Sequence, residues 1–178
     1  EMDDAYLGGA RRGGKRGRGA AGKTPFVVVV ETTIEGHPLR LKLNAFKGFR
    51  KVEIKKLSLL SLRTLVPGTT VISDALGCFG AVTQGGCRHQ PIVTGSGAGA
   101  VQIPAFKWVN TTIGNINNAI RGTYHAVRPK HVPRYLAQYE YRFNRRYRLE
   151  DMIPRLAWVA LRTPPMPYRL LKSAELSA

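Results

Sequence analysis

The stretch TPFVVVVETT, followed by a turn and then PLRLKLNAF, limits the fold more tightly than any other part of the chain. Four valines in a row behind a phenylalanine have stiff, β-branched side chains that suit a pleated surface. Five apolar residues fall far short of the ~20 a membrane span requires, so 26–30 reads as a buried strand. In 38–46, Leu39, Leu41 and Leu43 alternate with Arg40, Lys42 and Asn44, the period-two pattern of a half-buried strand. Glu35-Gly36-His37 supplies the turn before it.

Shorter signals fill in the remainder. Residues 2–7 form a first strand, TTVIS at 69–73 a fourth that runs into Asp74, and HQPIVT at 89–94 a fifth. Val52, Leu59, Leu62 and Val66 recur at helical spacing and Pro67-Gly68 stops that helix. A short helix is expected over 76–83, and GSGAGA at 95–100 is a loop. Between 132 and 147, Val132, Leu136, Tyr139, Phe143 and Tyr147 make an apolar stripe, with Pro133 near the helix start. The proline-rich tail from Thr163 is expected as an extended arm or disorder. Three leading strands that pair as a meander, followed by β-α units, predict an α/β fold: a mixed sheet flanked by helices. With 178 residues there is room for one domain of useful core size.

Charge narrows the partner. Lys and Arg number 28 against 11 Asp and Glu, a net +17, and such a surplus implies a polyanion, most commonly nucleic acid. One basic cluster is the Gly-rich stretch 8–24, with Arg11, Arg12, Lys15, Arg16 and Arg18 and no acid. Another runs from Arg121 to Arg148, where eight cations face Glu140 alone. There Arg134, Tyr141, Arg142 and Arg145 fall largely off the apolar stripe, toward solvent or phosphates. Inside the first cluster, GRGAAGKT fits G-x-x-x-x-G-K-[ST] at every defined position. A phosphate-binding loop needs a buried strand before it and a helix after it. Here glycines and arginines precede it, and Pro25 with the valine strand follows, so no nucleotide cofactor is expected. The loop reads instead as a hairpin connection that touches a phosphate backbone.

Cys78 and Cys87, nine apart with no C-x-x-C, read as reduced thiols of an intracellular protein. The acidic, polar opening EMDDAYLGG is unlike a secretory signal, so a cytoplasmic location and no membrane contact are expected. His125 and His131 fit no zinc spacing, and His89 reads as structural.

Acids are scarce, so those on strands carry information. Metal-dependent phosphoryl transfer needs oxygen ligands that hold two divalent cations close together. Asp3 and Asp4 lie in the first strand and Asp74 ends the fourth. If those strands are neighbours, Asp3 and Asp74 converge although they are 71 positions apart. Asp74 equally suits a helix N-cap for the segment that follows, and spacing alone leaves both roles open.

EMDDAYLGG with its basic loop, GTTVISDALGCF, His89, FKWVNTTIGN, RGTYHAVRPKH and RYLAQYEYRFNRR together resemble the DDE-type transposase domain of bacterial insertion sequences. The nearest likeness is to the insertion-sequence fifteen-ninety-five family, related to the Merlin elements. It covers nearly the whole chain, and WVNT-x-x-GN with GTYH and YRFNRR is its most specific part. The resemblance implies an RNase H-like catalytic domain over 1–150, followed by a C-terminal helix and Pro-rich tail over 151–178. It implies Asp3 and Asp74 as the first and second metal-binding residues, with Mg²⁺ or Mn²⁺ as cofactor. Asn110, 36 residues after Asp74, takes the third position, where many relatives carry glutamate. An amide oxygen can ligate Mg²⁺ but brings no charge; Asn110 also suits a helix N-cap, and the two roles are compatible. Seven residues on, where many relatives have lysine, this chain has Asn117, with Arg121 one turn later as the substitute. The implied partners are element-end and target DNA, a second copy in a synaptic homodimer, and the nucleoid.

Two readings follow. One is an active transposase domain. The other is a degenerate remnant that grips DNA without cutting, motivated by Asn110, Asn117 and an opening two residues before Asp3 that leaves no room for an upstream DNA-recognition region. A ribosomal or nucleoid structural protein accounts for the charge but not for the strand-end aspartates.

Overall fold

The structure, a computed structural model, describes residues 1–8, 22–48, 63–94, 103–124 and 127–173. Strands β1 (Met2–Leu7), β2 (Thr24–Thr32), β3 (Pro38–Ala45), β4 (Thr70–Asp74) and β5 (Arg88–Ile92) form one sheet in the order β3-β2-β1-β4-β5. The first three make the expected antiparallel meander, while β4 lies parallel to β1 and β5 parallel to β4. Among the described residues four α-helices follow β5: α1 (Lys107–Tyr124), α2 (Val132–Asn144), α3 (Met152–Arg162) and α4 (Tyr168–Ser173). This is the mixed α/β arrangement read from the sequence.

The valine run does not alternate because both of its faces are covered. Phe26, Val28 and Val30 pack with Leu41, Leu43, Val109, Ile116, Val132 and Leu136 under α1 and α2. Val27 faces the opposite layer with Met2, Phe46, Val71, Phe79 and Val82. Each such side chain removed from water contributes about 1.5–3 kcal/mol. β3 alternates because only Leu41 and Leu43 turn inward; Leu39, beside a register shift at Glu31/Thr32, is 41% exposed.

β3 is an edge strand, with free backbone groups that invite pairing by another chain. α2 closes that edge. Asn144 Nδ2 donates to the Leu41 carbonyl (2.8 Å) while its Oδ1 accepts the Leu41 N–H (2.7 Å). Glu140 accepts from the Leu43 N–H and from Lys42 Nζ, each at 2.9 Å. Arg146 donates to the carbonyls of Leu39 and Pro38. The FNRR of YRFNRR therefore has an architectural task.

Several expectations need correction. The short helix expected over 76–83 is present as a 3₁₀ segment, Gly77–Gly85, ended by Gly86 in the left-handed region at φ 75°. α2 stops at Asn144, so Tyr147 lies beyond the stripe and is 75% exposed. The tail is no extended arm, because Pro167 starts α4 by accepting the Leu170 and Leu171 N–H groups. Proline pre-sets the backbone for a first helical turn as readily as it ends one. Both cysteines are buried, and burial pushes the Cys87 thiol above its ordinary range. The helix expected over 50–66 falls mostly outside the described residues, as do the 95–100 loop and most of 8–24.

Candidate metal centre and basic surfaces

β1 and β4 meet through the register pair Met2 and Ser73. One step further along both strands stand Asp3 and Asp74, and β4 ends there. The meander departs to one side of this point and β5 to the other. It is a switch in strand order, where the crevice beyond the strand ends is a natural place for a ligand. By strand alternation Asp3 shares a face with Ala5 and Leu7, and Asp74 shares one with Ile72. All three apolar residues pack in the layer under α1 and α2, so the two acids rise from the same face. Asp4 has the opposite parity, but β4 has already ended beside it. One carboxylate oxygen from each of Asp3, Asp4 and Asp74 lies within 4.8 Å of the others, and all three residues are half-buried.

These donors fit a small divalent cation. Two oxygens on opposite sides of Mg²⁺ are about 4.2 Å apart, so small side-chain rotations close the cluster around an ion. An all-oxygen, anionic set suits Mg²⁺ or Mn²⁺ rather than zinc.

Local bonds fix the strand tips. Asp3 Oδ1 accepts the Asp4 N–H at 2.8 Å. Asp74 Oδ1 accepts the Leu76 N–H at 3.2 Å, a turn bond two residues on. Leu76 holds the N-cap position of the 3₁₀ segment, so Asp74 is not the cap considered for it. Ser73 is fully buried; its hydroxyl donates to the Asp74 carbonyl at 2.9 Å and stands 2.8 Å from His89 Nε2. His89 thus has the structural tie expected of it.

Glu1 supplies a link that sequence spacing did not suggest. Its Oε2 accepts the N–H groups of Trp108 (2.9 Å) and Val109 (2.7 Å) in the first turn of α1. A carboxylate there satisfies orphan donors and meets the positive end of the helix dipole. The turn that carries Asn110 is therefore tied to the residue two before Asp3. Asn110 is not an N-cap: it is the fourth residue of α1, behind a 3₁₀ turn that begins at Pro104. Asn117 and Arg121 follow on its flank, two and three turns on. Asn117 is half-buried and Arg121 exposed.

The basic residues divide. Arg11, Arg12, Lys15, Arg16 and Arg18 lie outside the described residues. Arg121 and Arg142 are exposed. Arg134 donates to the Leu171 carbonyl at 2.8 Å and so holds α4. Arg145 stacks 4.0 Å above Tyr141, whose hydroxyl donates to the Met152 carbonyl. Beyond the expected residues the structure adds Asp4, whose signal was adjacency to Asp3, and Glu1 and Ser73, which had none.

The family model described as the ISXO2-like transposase domain matches residues 1–144. No curated protein matches the chain.

Proposed function

The chain belongs to the ISXO2-like transposase domain family, and on that premise we propose that it is the catalytic domain of an insertion-sequence transposase. The observation that carries this reading is the convergence of Asp3, Asp4 and Asp74 within 4.8 Å at the β1/β4 switch point. Asp3 and Asp74, with the amide oxygen of Asn110 and with Asp4 beside them, hold Mg²⁺ or Mn²⁺. Bound there, the cations supply Lewis-acid stabilisation of charge that develops on phosphoryl oxygens.

The rest belongs to the chain. Ser73 and His89 keep the tip of β4 in place, and Glu1 keeps the Asn110 turn beside β1. Arg121 and Arg142, with the arginines of the 8–24 loop and Arg145, draw the phosphate backbone across the crevice. Water adds to phosphorus at the element's end as the P–O3′ bond breaks, leaving a 3′-hydroxyl and a 5′-phosphate. That hydroxyl then attacks a target phosphodiester and expels a target 3′-oxygen. Two copies hold two element ends, in the cytoplasm and at the nucleoid.

The test is nicking of element-end DNA by the protein with Mn²⁺. Asp74→Ala is expected to slow nicking by more than about 100-fold, since even outer-sphere changes at metal sites cost 10–100-fold. Equal rates for the two proteins would refute the site. Asn117, standing where many relatives carry lysine, favours the second reading, a DNA-gripping remnant. Binding by both proteins without nicking by either selects that one.

A further inference from the structure

The Lys23-Thr24 pair that completes GRGAAGKT is not idle. It lines a cavity of about 480 Å³ with Lys47 and Lys130, over a floor that includes Pro25, Pro129 and Pro133. No acid lines it. The ends of β2 and β3 and the start of α2 bring the three lysines together, although they are far apart in the chain. Gly8 packs closely against Lys23: a Cβ there would come within 3.1 Å of Lys23 Cγ and of the Gly22 carbonyl. Lys130 Nζ donates to the Lys172 carbonyl at 2.6 Å and keeps two further N–H donors.

The cavity stands in line with the acid cluster. Asp3 pairs with Val28 and Leu7 with Thr24, so the two are four steps apart along β1. At strand rise that is about 13 Å, or roughly four steps of a DNA strand at 3.4 Å each. We propose that this cavity is a second DNA contact, seating the phosphate backbone of the strand leaving the acid cluster, with phosphates on Lys23, Lys47 and Lys130 and sugars against the prolines. The inference rests on the DNA reading above but not on cutting.

The test measures binding of a short fluorescein-labelled DNA duplex in EDTA as a function of salt. Each lost phosphate contact removes about 0.9 from the slope of log K against log salt. K23Q/K47Q is expected to flatten the slope by about 1.8, while K23R/K47R retains it. R155Q/R162Q, the same charge change on exposed α3, is expected to leave the slope alone. An unchanged slope for the cavity pair, or an equal drop for the α3 pair, overturns the inference. Because nothing is cut, the two failures separate. Lost nicking with the slope effect intact sinks only the catalytic reading, and intact nicking with no slope effect sinks only the cavity.

Discussion

Ser73 shows how a single buried hydroxyl can organise a strand tip. Its O–H is committed to the Asp74 carbonyl, so the bond at His89 runs the other way: Nε2 carries the proton and donates. Ser73→Ala leaves that donor without its acceptor and is expected to destabilise the fold by about 1–3 kcal/mol, read from the denaturant midpoint. At His131, partial desolvation and then the charges of Lys130, Arg134 and Arg128 lower the imidazole pKa below its ordinary value. A depressed pKa means that the unfolded chain takes up the proton first. Stability contributed by neutral His131 is therefore present above the ordinary histidine pKa of about 6.5 and lost as pH falls through the depressed one. Thermal melts are expected to show a fall in midpoint over that window, flattened in His131→Gln. Asp3 and Asp74 could be picked out from the sequence because acids are rare in it and strand ends are recognisable. Glu1 and Ser73 could not, since their partners lie 107 and 16 positions away and no local spacing encodes such bonds.

Among the elements, α2 does most to protect the sheet. Asn144 satisfies both backbone groups of Leu41 as a neighbouring strand would. Asn144→Ala is expected to cost about 1–3 kcal/mol, with faster hydrogen exchange at the Leu41 amide and greater aggregation on heating. An unaltered exchange rate would show that the edge is protected by other means. The strands themselves were legible, because valine runs and leucine alternation report burial on two faces or one. The starts of α1 and α4 were not, although Pro133 did mark that of α2. α1 begins where Pro104 and a remote carboxylate allow it, and α4 begins at a proline whose neighbours signal only a break.

For the whole molecule, the consequence of the lone Met2–Ser73 register pair is mechanical. Asp3 belongs to the three-strand meander and Asp74 to the part made by β4, β5 and the 3₁₀ segment, so the acids sit on the two sides of that junction. A cation shared by both acts as a rivet. Mn²⁺ at a hundred times its Kd is expected to add about 2.7 kcal/mol, seen as a higher melting temperature that Asp3→Asn abolishes. Amide exchange should slow most in β4 and β5, the strands that such a cation ties to the meander through Asp74.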